Sequence, residues 1–599
     1  MLQDVNATVT FRSVVDRATA GCSGGAGGHE SPPWLALVGW VALCWYIFVI
    51  IVSSIGYLQL QRHYSRVPRK SITSSSLPIQ QVPHVTVIRP VKGIEPHLYE
   101  CLASSLRQDY PQEKFSVSFC VSTRTDPAYP LLERLVKDFP FVNIEIFVED
   151  DDPLLHPIDG QYYPLGPNPK IRNTSRAYRE AKGDIVWMVD CNIWVGRGAC
   201  GRMVDKLTGL GAEQGRLYKF VHHLPVAVAV DDSHPLLEER QGLLNGLNAN
   251  ESTPLRQLQP YNPEGDSPWS SFKANAGSRV EELFLSSSHA KMYSAINSVS
   301  VAPCVVGKSN MFRRSHLNYL TSTEPSHVPG RNPGIDFFSD NICEDHLIGD
   351  LLWKRQVPDE KQIGQLWGKH ALLFGDLAIQ PVADMSLRGY LARRVRWLRV
   401  RKFTVLLATL VEPGTEAFLC TLYLALGVTT AVPDYLQRHK DVCYPFLSSG
   451  AGFLAVWLLG IAFWILVDWT VYLRLHSGAT IELDENTPPF ARPLPKSSIS
   501  RRPFLQWLLA WIGRESLALP IWVWAVYGGL TVVWRDKKFR AGFDLKVKEI
   551  GGDSDPKPVS SGIPPSSHGS KPTMISKHPS QQQGQHAYQQ SQSAPETRN

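Results

Sequence analysis

The sequence predicts an α/β fold built on a mostly parallel sheet, with one transmembrane helix ahead of it and a helical membrane region behind it. Three observations carry this expectation. Apolar runs of strand length alternate with helix-length segments between His84 and Asp190, a pattern that implies a parallel sheet with helices on its faces. A run without a single charge extends from Trp34 to Leu60. Three further apolar blocks follow Lys402.

Taken in order, residues 1–33 are small, Gly-rich and polar, with an Asn-X-Thr sequon at Asn6. At about 1.5 Å per residue the Trp34–Leu60 run is long enough to cross a hydrocarbon core of about 30 Å. It starts too far in, and is too long, for a cleaved signal peptide. Arg62, Arg66, Arg69 and Lys70 follow it, against Arg12 and Arg17 before it. By the positive-inside rule that bias puts residues 61–402 in the cytosol and residues 1–33 in the lumen. A second sequon at Asn250 then lies on the cytosolic side.

After a polar linker to about Gln81, HVTVIRP, FSVSFCVST, VNIEIFVED and DIVWMVD read as strands. HLYECLASSLRQDYP, PLLERLVKDFP and RNTSRAYREAKG read as the helices between them. Such a sheet gathers ligands at the carboxyl ends of its strands. Lys92, Asp126 and Asp190 all fall at such ends. Residues 226–288 lose periodicity and gain Pro, Asn, Ser and Gly, which reads as an irregular surface insertion. Order returns at VAPCVVGKSNMFRRSHL.

Of the late apolar blocks, Phe446–Val467 is clean. Phe403–Val432 is interrupted by Glu412, Pro413, Gly414 and Glu416, and Phe504–Trp534 carries Arg514 and Glu515. Ionisable residues at bilayer depth face protein or a water-filled cavity, so residues 403–535 are expected as membrane helices that are broken, tilted or partly re-entrant. The RDKKFR segment after Trp534 reads as a cytosolic basic flank. Beyond about Gly551 the composition is that of a disordered tail.

The net charge is +6, with much of the basic excess beside apolar runs. That points to a lipid bilayer as partner, and no motif points to nucleic acid. Ten cysteines fall without C-x-x-C or Cys/His ligand spacing, which argues against zinc and a disulfide framework and for free core thiols.

RPVKGIEP, NPKIRN, WMVDCNIWV, FVHHLP, CEDH and RRVRW, in this order behind one N-terminal span, resemble the ceramide glucosyltransferase family over roughly residues 34–545, the insertion apart. The resemblance implies an inverting nucleotide-sugar glycosyltransferase of the Rossmann-like type, with three acidic motifs and a [QR]-x-x-R-W element. It implies UDP-glucose as donor, ceramide as acceptor, and a multi-pass protein of the Golgi or endoplasmic reticulum with its catalytic domain in the cytosol.

In that frame Asp126 is the first acid, on the uridine side of the donor, although an Asp before Pro127 equally suits a helix start. STRTDP carries one acid where the family is commonly more acidic. Lys92 suits a nucleotide phosphate or plain solvation. Asp190 is the second acid and the ligand for a weakly bound Mg²⁺ or Mn²⁺, with Asn192 standing where D-x-D would have its second carboxylate and with Lys170 assisting. Asp345 is the catalytic base and Glu344 supports it. As a first-turn pair these acids also favour a helix N-terminus. Arg393, Arg396 and Trp397 share one helical face; the two guanidinium groups are expected on the diphosphate and the indole on sugar or acceptor. Arg394, Arg399, Arg401 and Lys402 are expected to hold anionic lipid. His222 is either an acceptor contact or a packed histidine. Glu412 and Glu416 either pair with Arg514 or line the lipid entrance. Two rival functions remain: a processive polysaccharide synthase, which needs a polymer channel, and a non-catalytic membrane lipid-binding scaffold.

Overall fold

A computed structural model describes residues 33–550, apart from 158–162, 211–214, 231–267, 441–443, 496, 536 and 543. Both sequons, most of the expected insertion and the expected tail lie outside the described residues.

The first long helix, α1 (Pro33–His63), covers the charge-free run. Strands β1 (Val85–Pro90), β2 (Phe115–Val121), β3 (Asn143–Val148) and β4 (Ile185–Val189) follow, connected through helices α2 (Leu98–Leu106), α3 (Tyr129–Asp138) and α4 (Pro169–Arg179). All four strands are parallel neighbours, with Val85 opposite both Phe115 and Ile185. Every residue of β1 and β2 is buried. A strand covered on both faces has no polar side to show, which is why these two read as continuous apolar runs. Successive side chains leave on opposite faces, so Val87 enters one core with Phe119 and Leu132 while Ile88 enters another with Phe312 and Ile171.

Past β4 the sheet is mixed: β7 (Ser309–Arg313) and the short β5 (Trp194–Val195) run against the other strands. β7 is antiparallel to β4, with Ser309 opposite Val189. β6 (Tyr218–Ala229), β8 (Gly368–Val382) and β5 complete the order β3-β2-β1-β4-β7-β6-β8-β5. The expected α/β class with a mostly parallel sheet is what the chain adopts.

One expected boundary is corrected here. The segment assigned to an irregular insertion contains the end of β6 and helix α5 (Pro268–Leu285), and it runs directly into α6 (Ser288–Val299). Helix α6 packs along α1. This stretch is rich in small and polar residues because it is threaded between the sheet and the apolar helices, and so shows no simple amphipathic period.

The site then rests on two more helices, α7 (Glu344–Lys354) and α8 (Leu387–Arg401). Among the described residues three helices are long and apolar enough to cross a membrane: Pro33–His63, Ala417–Lys440 and Gly450–His476. They mark the chain as a membrane protein. The break expected at Glu412–Glu416 is a 3-10 turn, Glu412–Thr415. The block with Arg514 and Glu515 is instead one continuous helix, α9 (Phe504–Tyr527), with Pro520 inside it. Its charges do not break it because both are buried against polar partners. The expected basic flank is also corrected: β9 (Thr531–Trp534), β10 (Lys537–Ala541) and β11 (Val547–Glu549) form a second, antiparallel sheet.

Candidate active site

Asp190 follows the last residue of β4, and its backbone N–H donates to the Lys308 carbonyl at 3.0 Å. Because β7 runs antiparallel to β4, it begins at the sheet edge where β4 stops. That geometry delivers Lys308, whose Nζ donates to Oδ2 of Asp190 at 3.1 Å. A second cation comes from α4. Asn168 caps this helix by accepting from the N–H groups of Lys170 and Ile171, and Pro169 suits its first position, so NPK is a helix start. A lysine in a first turn opposes the helix dipole. Here the opposition is offset by two carboxylates, since Lys170 Nζ lies 3.2 Å from Asp190 Oδ1 and 3.2 Å from Glu344 Oε1.

The electrostatics follow from that arrangement. Burial alone would raise the Asp190 pKa, but Lys170 and Lys308 overcome it and bring it down to about 2. Burial likewise opposes the charge on Lys170, yet Asp190, Glu344 and Asp345 together raise its pKa. For Glu344 and Asp345 burial wins, and both sit above the usual carboxylate range despite the pull of Lys170.

The two acids of CEDH open α7 and differ in their partners. Glu344 is 2% exposed and accepts from Asn168 Nδ2 at 3.1 Å as well as pairing with Lys170. Asp345 is half-buried, and among the described residues no side chain hydrogen-bonds or ion-pairs with it; only first-turn backbone N–H groups meet its carboxylate.

Helix α8 is capped by Ser386, whose hydroxyl accepts from the Gly389 N–H at 3.2 Å. Arg393 Nε lies 3.0 Å from Oε1 of the fully buried Glu281, which α5 supplies. Its guanidinium also stands 5.0 Å from the Trp397 ring centre. Arg396 has no carboxylate partner among the described residues, and burial together with Arg393 and Arg535 pushes its pKa down to about 10.

A cavity of about 420 Å³ opens over these groups. Lys92, Lys170, Asp190, Asn192, Glu344, Asp345, Arg393, Arg396 and Trp397 all line it. So do Glu95, His289, Lys308, Trp534 and Arg535, which the sequence reading missed. The lining holds eight lysines and arginines against four carboxylates, a surplus that suits a polyanionic ligand.

Two expected residues are elsewhere. Asp126 does not line the cavity; its Oδ1 accepts from the N–H groups of Gly93 and Ala128, both at 2.9 Å, so it ties two strand-end turns together. His222 is fully buried in β6, with Nδ1 2.6 Å from the Tyr293 hydroxyl, and is a packed histidine. The basic residues assigned to lipid are also committed within the protein. Arg394 and Arg401 reach Glu412. Arg399 and Lys402 donate to backbone carbonyls between Trp524 and Thr531.

For a divalent ion beyond the end of β4, the nearest hard donors in sequence are the Asp190 carboxylate and Asn192 Oδ1, the latter buried with no hydrogen-bond partner among the described residues. No cluster of three or more His, Cys, Asp or Glu stands ready among those residues. The donor set fits an ion that brings most of its oxygen ligands as phosphate and water.

The profile of glycosyl transferase family 21 matches residues 46–241 and 267–547. A ceramide glucosyltransferase of Pyricularia oryzae is 48% identical over 514 residues, covering 84% of this chain and 94% of its own. One of Gibberella zeae is 46% identical, covering 84% and 92%. Among solved structures, a mannosyltransferase from Pyrobaculum calidifontis in complex with GDP-Man and Mn2+ aligns over 82% of this chain and 99% of its own, at 14% identity and a TM-score of 0.32. With the profile spanning both the sheet and the helices behind it, the chain belongs to glycosyl transferase family 21.

Proposed function

We propose that this chain transfers glucose from UDP-glucose to the primary hydroxyl of ceramide, with inversion, at the cytosolic leaflet of a Golgi or endoplasmic-reticulum membrane. Relatives that share nearly half its residues over most of its length carry ceramide glucosyltransferase as their name, which supports the sugar and the acceptor. The observation that carries the chemistry is one cavity holding a carboxylate, Asp345, and a guanidinium, Arg396, that among the described residues have respectively no side-chain hydrogen-bond or ion-pair partner and no carboxylate partner.

In this reading Asp345 takes the proton of the acceptor hydroxyl as that oxygen attacks the anomeric carbon. The bond from that carbon to the β-phosphate oxygen breaks on the opposite face, and its electron pair leaves with UDP. Arg396, Lys170 and Lys308 meet the charge that grows on the diphosphate, and they act most strongly where water is excluded. A raised pKa suits Asp345 to the task, because a buried carboxylate holds a proton better than a solvated one. A Mg²⁺ or Mn²⁺ ion, when bound at Asp190 and Asn192, neutralises part of the same charge. The acceptor's chains stay in the bilayer, since lifting them into water costs about 0.8 kcal/mol per methylene.

The test is incubation of the purified full-length chain with several UDP-sugars and several lipid acceptors, with product identified by mass. Glucosylceramide from UDP-glucose and ceramide is the expected product. Polymer formation, or no transfer to any lipid, overturns the reading. Electron spin resonance of Mn²⁺ checks the ion separately: its bound signal should be lost in Asp190→Asn.

A further inference from the structure

The antiparallel sheet beyond α9 is not a loose appendage. Its inner residues Val532, Phe539, Ala541 and Val547 form a small core that takes in Ile342, two residues before Glu344, and Val400 of α8. The Val547 N–H donates to the Asp340 carbonyl at 2.8 Å, and Asn341 Nδ2 donates to the Leu545 carbonyl at 2.7 Å. On the other side Arg399 Nη1 of α8 donates to the Thr531 carbonyl at 2.7 Å. The sheet is therefore fastened to α8 and to the segment that leads into α7, each of which carries cavity residues.

At its tip the turn between β9 and β10 puts Trp534 and Arg535 into the cavity wall. Arg535 has φ 49, a left-handed backbone that side-chain-bearing residues rarely adopt. Its only polar contact among the described residues is a 3.5 Å approach to the Pro169 carbonyl, at the start of the helix that carries Lys170. Among the described residues no carboxylate pairs with it. Its charge weighs on Arg396, the other guanidinium of the cavity without an acidic partner. Two such groups facing one polar cavity repel each other unless an anion joins them. The cavity's acids do not: Asp190 and Glu344 already hold lysines, and among the described residues neither Glu95 nor Asp345, which also line the cavity, pairs with either guanidinium.

We propose that Arg535 binds the diphosphate of the sugar-nucleotide donor, closing a cationic collar with Arg396 and Lys170, so that the segment after the last long helix is part of the active site. The proposal rests on the donor reading above. The guanidinium fork suits phosphate oxygens better than uncharged groups, so the contact belongs to phosphate rather than to uridine or sugar.

The experiment measures binding of UDP, UMP and uridine to the full-length parent, Arg535→Ala and Arg535→Lys in nanodiscs, by calorimetry. Loss of a fork on a charged partner should weaken UDP binding roughly tenfold to a hundredfold in Arg535→Ala. Uridine binding should stay unchanged, and Arg535→Lys should fall between. In the parent, UDP but not uridine should shield Arg535 from phenylglyoxal, read by peptide mass; this arm needs no variant to fold. UDP binding that Arg535→Ala retains, with Arg535 unshielded, overturns the proposal and leaves the donor reading intact. A parent that binds no UDP overturns both.

Discussion

The ammonium of Lys170 stands 3.2 Å from an oxygen of Asp190 and at the same distance from Glu344, so one cation sets the charge state of the acids around it. Burial raises the Asp345 pKa and Lys170 pulls it down. A base must be ionised, so activity rises with pH through the pKa of Asp345. Lys170→Met removes the downward pull and should move the acid limb of the pH profile of kcat/KM to higher pH, while Lys170→Arg keeps it near the parent. An unmoved limb in Lys170→Met excludes this coupling. Asp190 has the opposite sign. Its folded pKa of about 2 lies below the ordinary carboxylate value of about 3.9, so its contribution to stability is full above that value and is lost as pH falls towards 2.

The acid pair should separate on substitution. Asp345→Asn breaks no side-chain hydrogen bond or ion pair among the described residues, so the protein should melt with the parent while transfer falls by roughly 10²–10⁴, the range for loss of a general base. Glu344→Gln weakens the links to Lys170 and Asn168 and should cost about 1–3 kcal/mol of stability. Melting curves and UDP release, measured on both variants, decide it. Equal loss of stability in the two would remove the distinction between base and brace.

Much of this was legible because its residues sit where local rules put them. Asp190 ends an apolar strand, NPK starts a helix, and Arg393, Arg396 and Trp397 recur at helical spacing, so their meeting needs only a parallel sheet. Lys308 was hidden because its place depends on β7 being antiparallel, and nothing in VGKSN announces direction. Glu281 and His289 lie in a stretch without a clear period, since it is buried among both polar and apolar partners. Arg535 read as part of a cytosolic basic flank, because strands of three to five residues, two of them bearing lysines, carry too little apolar signal to read as a sheet.

Gly307 offers a steric handle on the base. A Cβ added there would lie 2.6 Å from Oδ2, 2.8 Å from Cγ and 3.0 Å from Cβ of Asp345, so the whole carboxylate arm would have to move. Gly307→Ala should lower kcat by roughly a hundredfold, the cost of a misplacement of about 1 Å. UDP affinity should hold, because neither Arg396 nor Lys170 is touched. Kinetics and UDP calorimetry on the same preparation test this, and a parent-like kcat would show that Asp345 position does not govern turnover.

The buried Arg514 on α9 joins the apolar helices to the site's supports. It bonds Glu416, lies 3.0 Å from Glu515, and donates to the Ser287 hydroxyl at 2.7 Å just ahead of α6. Arg514→Met leaves Glu416 and Glu515 with no guanidinium between them, and stranding buried charge costs about 3–5 kcal/mol. Arg514→Met with Glu416→Gln removes one stranded charge and should recover part of that loss. The comparison isolates charge pairing from packing, since both variants lose the same arginine volume. Melting in detergent should therefore rank the parent first, the double variant second and the single variant last. If the double variant melts below the single one, Glu416 is held by its hydrogen bond from Ser288 rather than by the arginine.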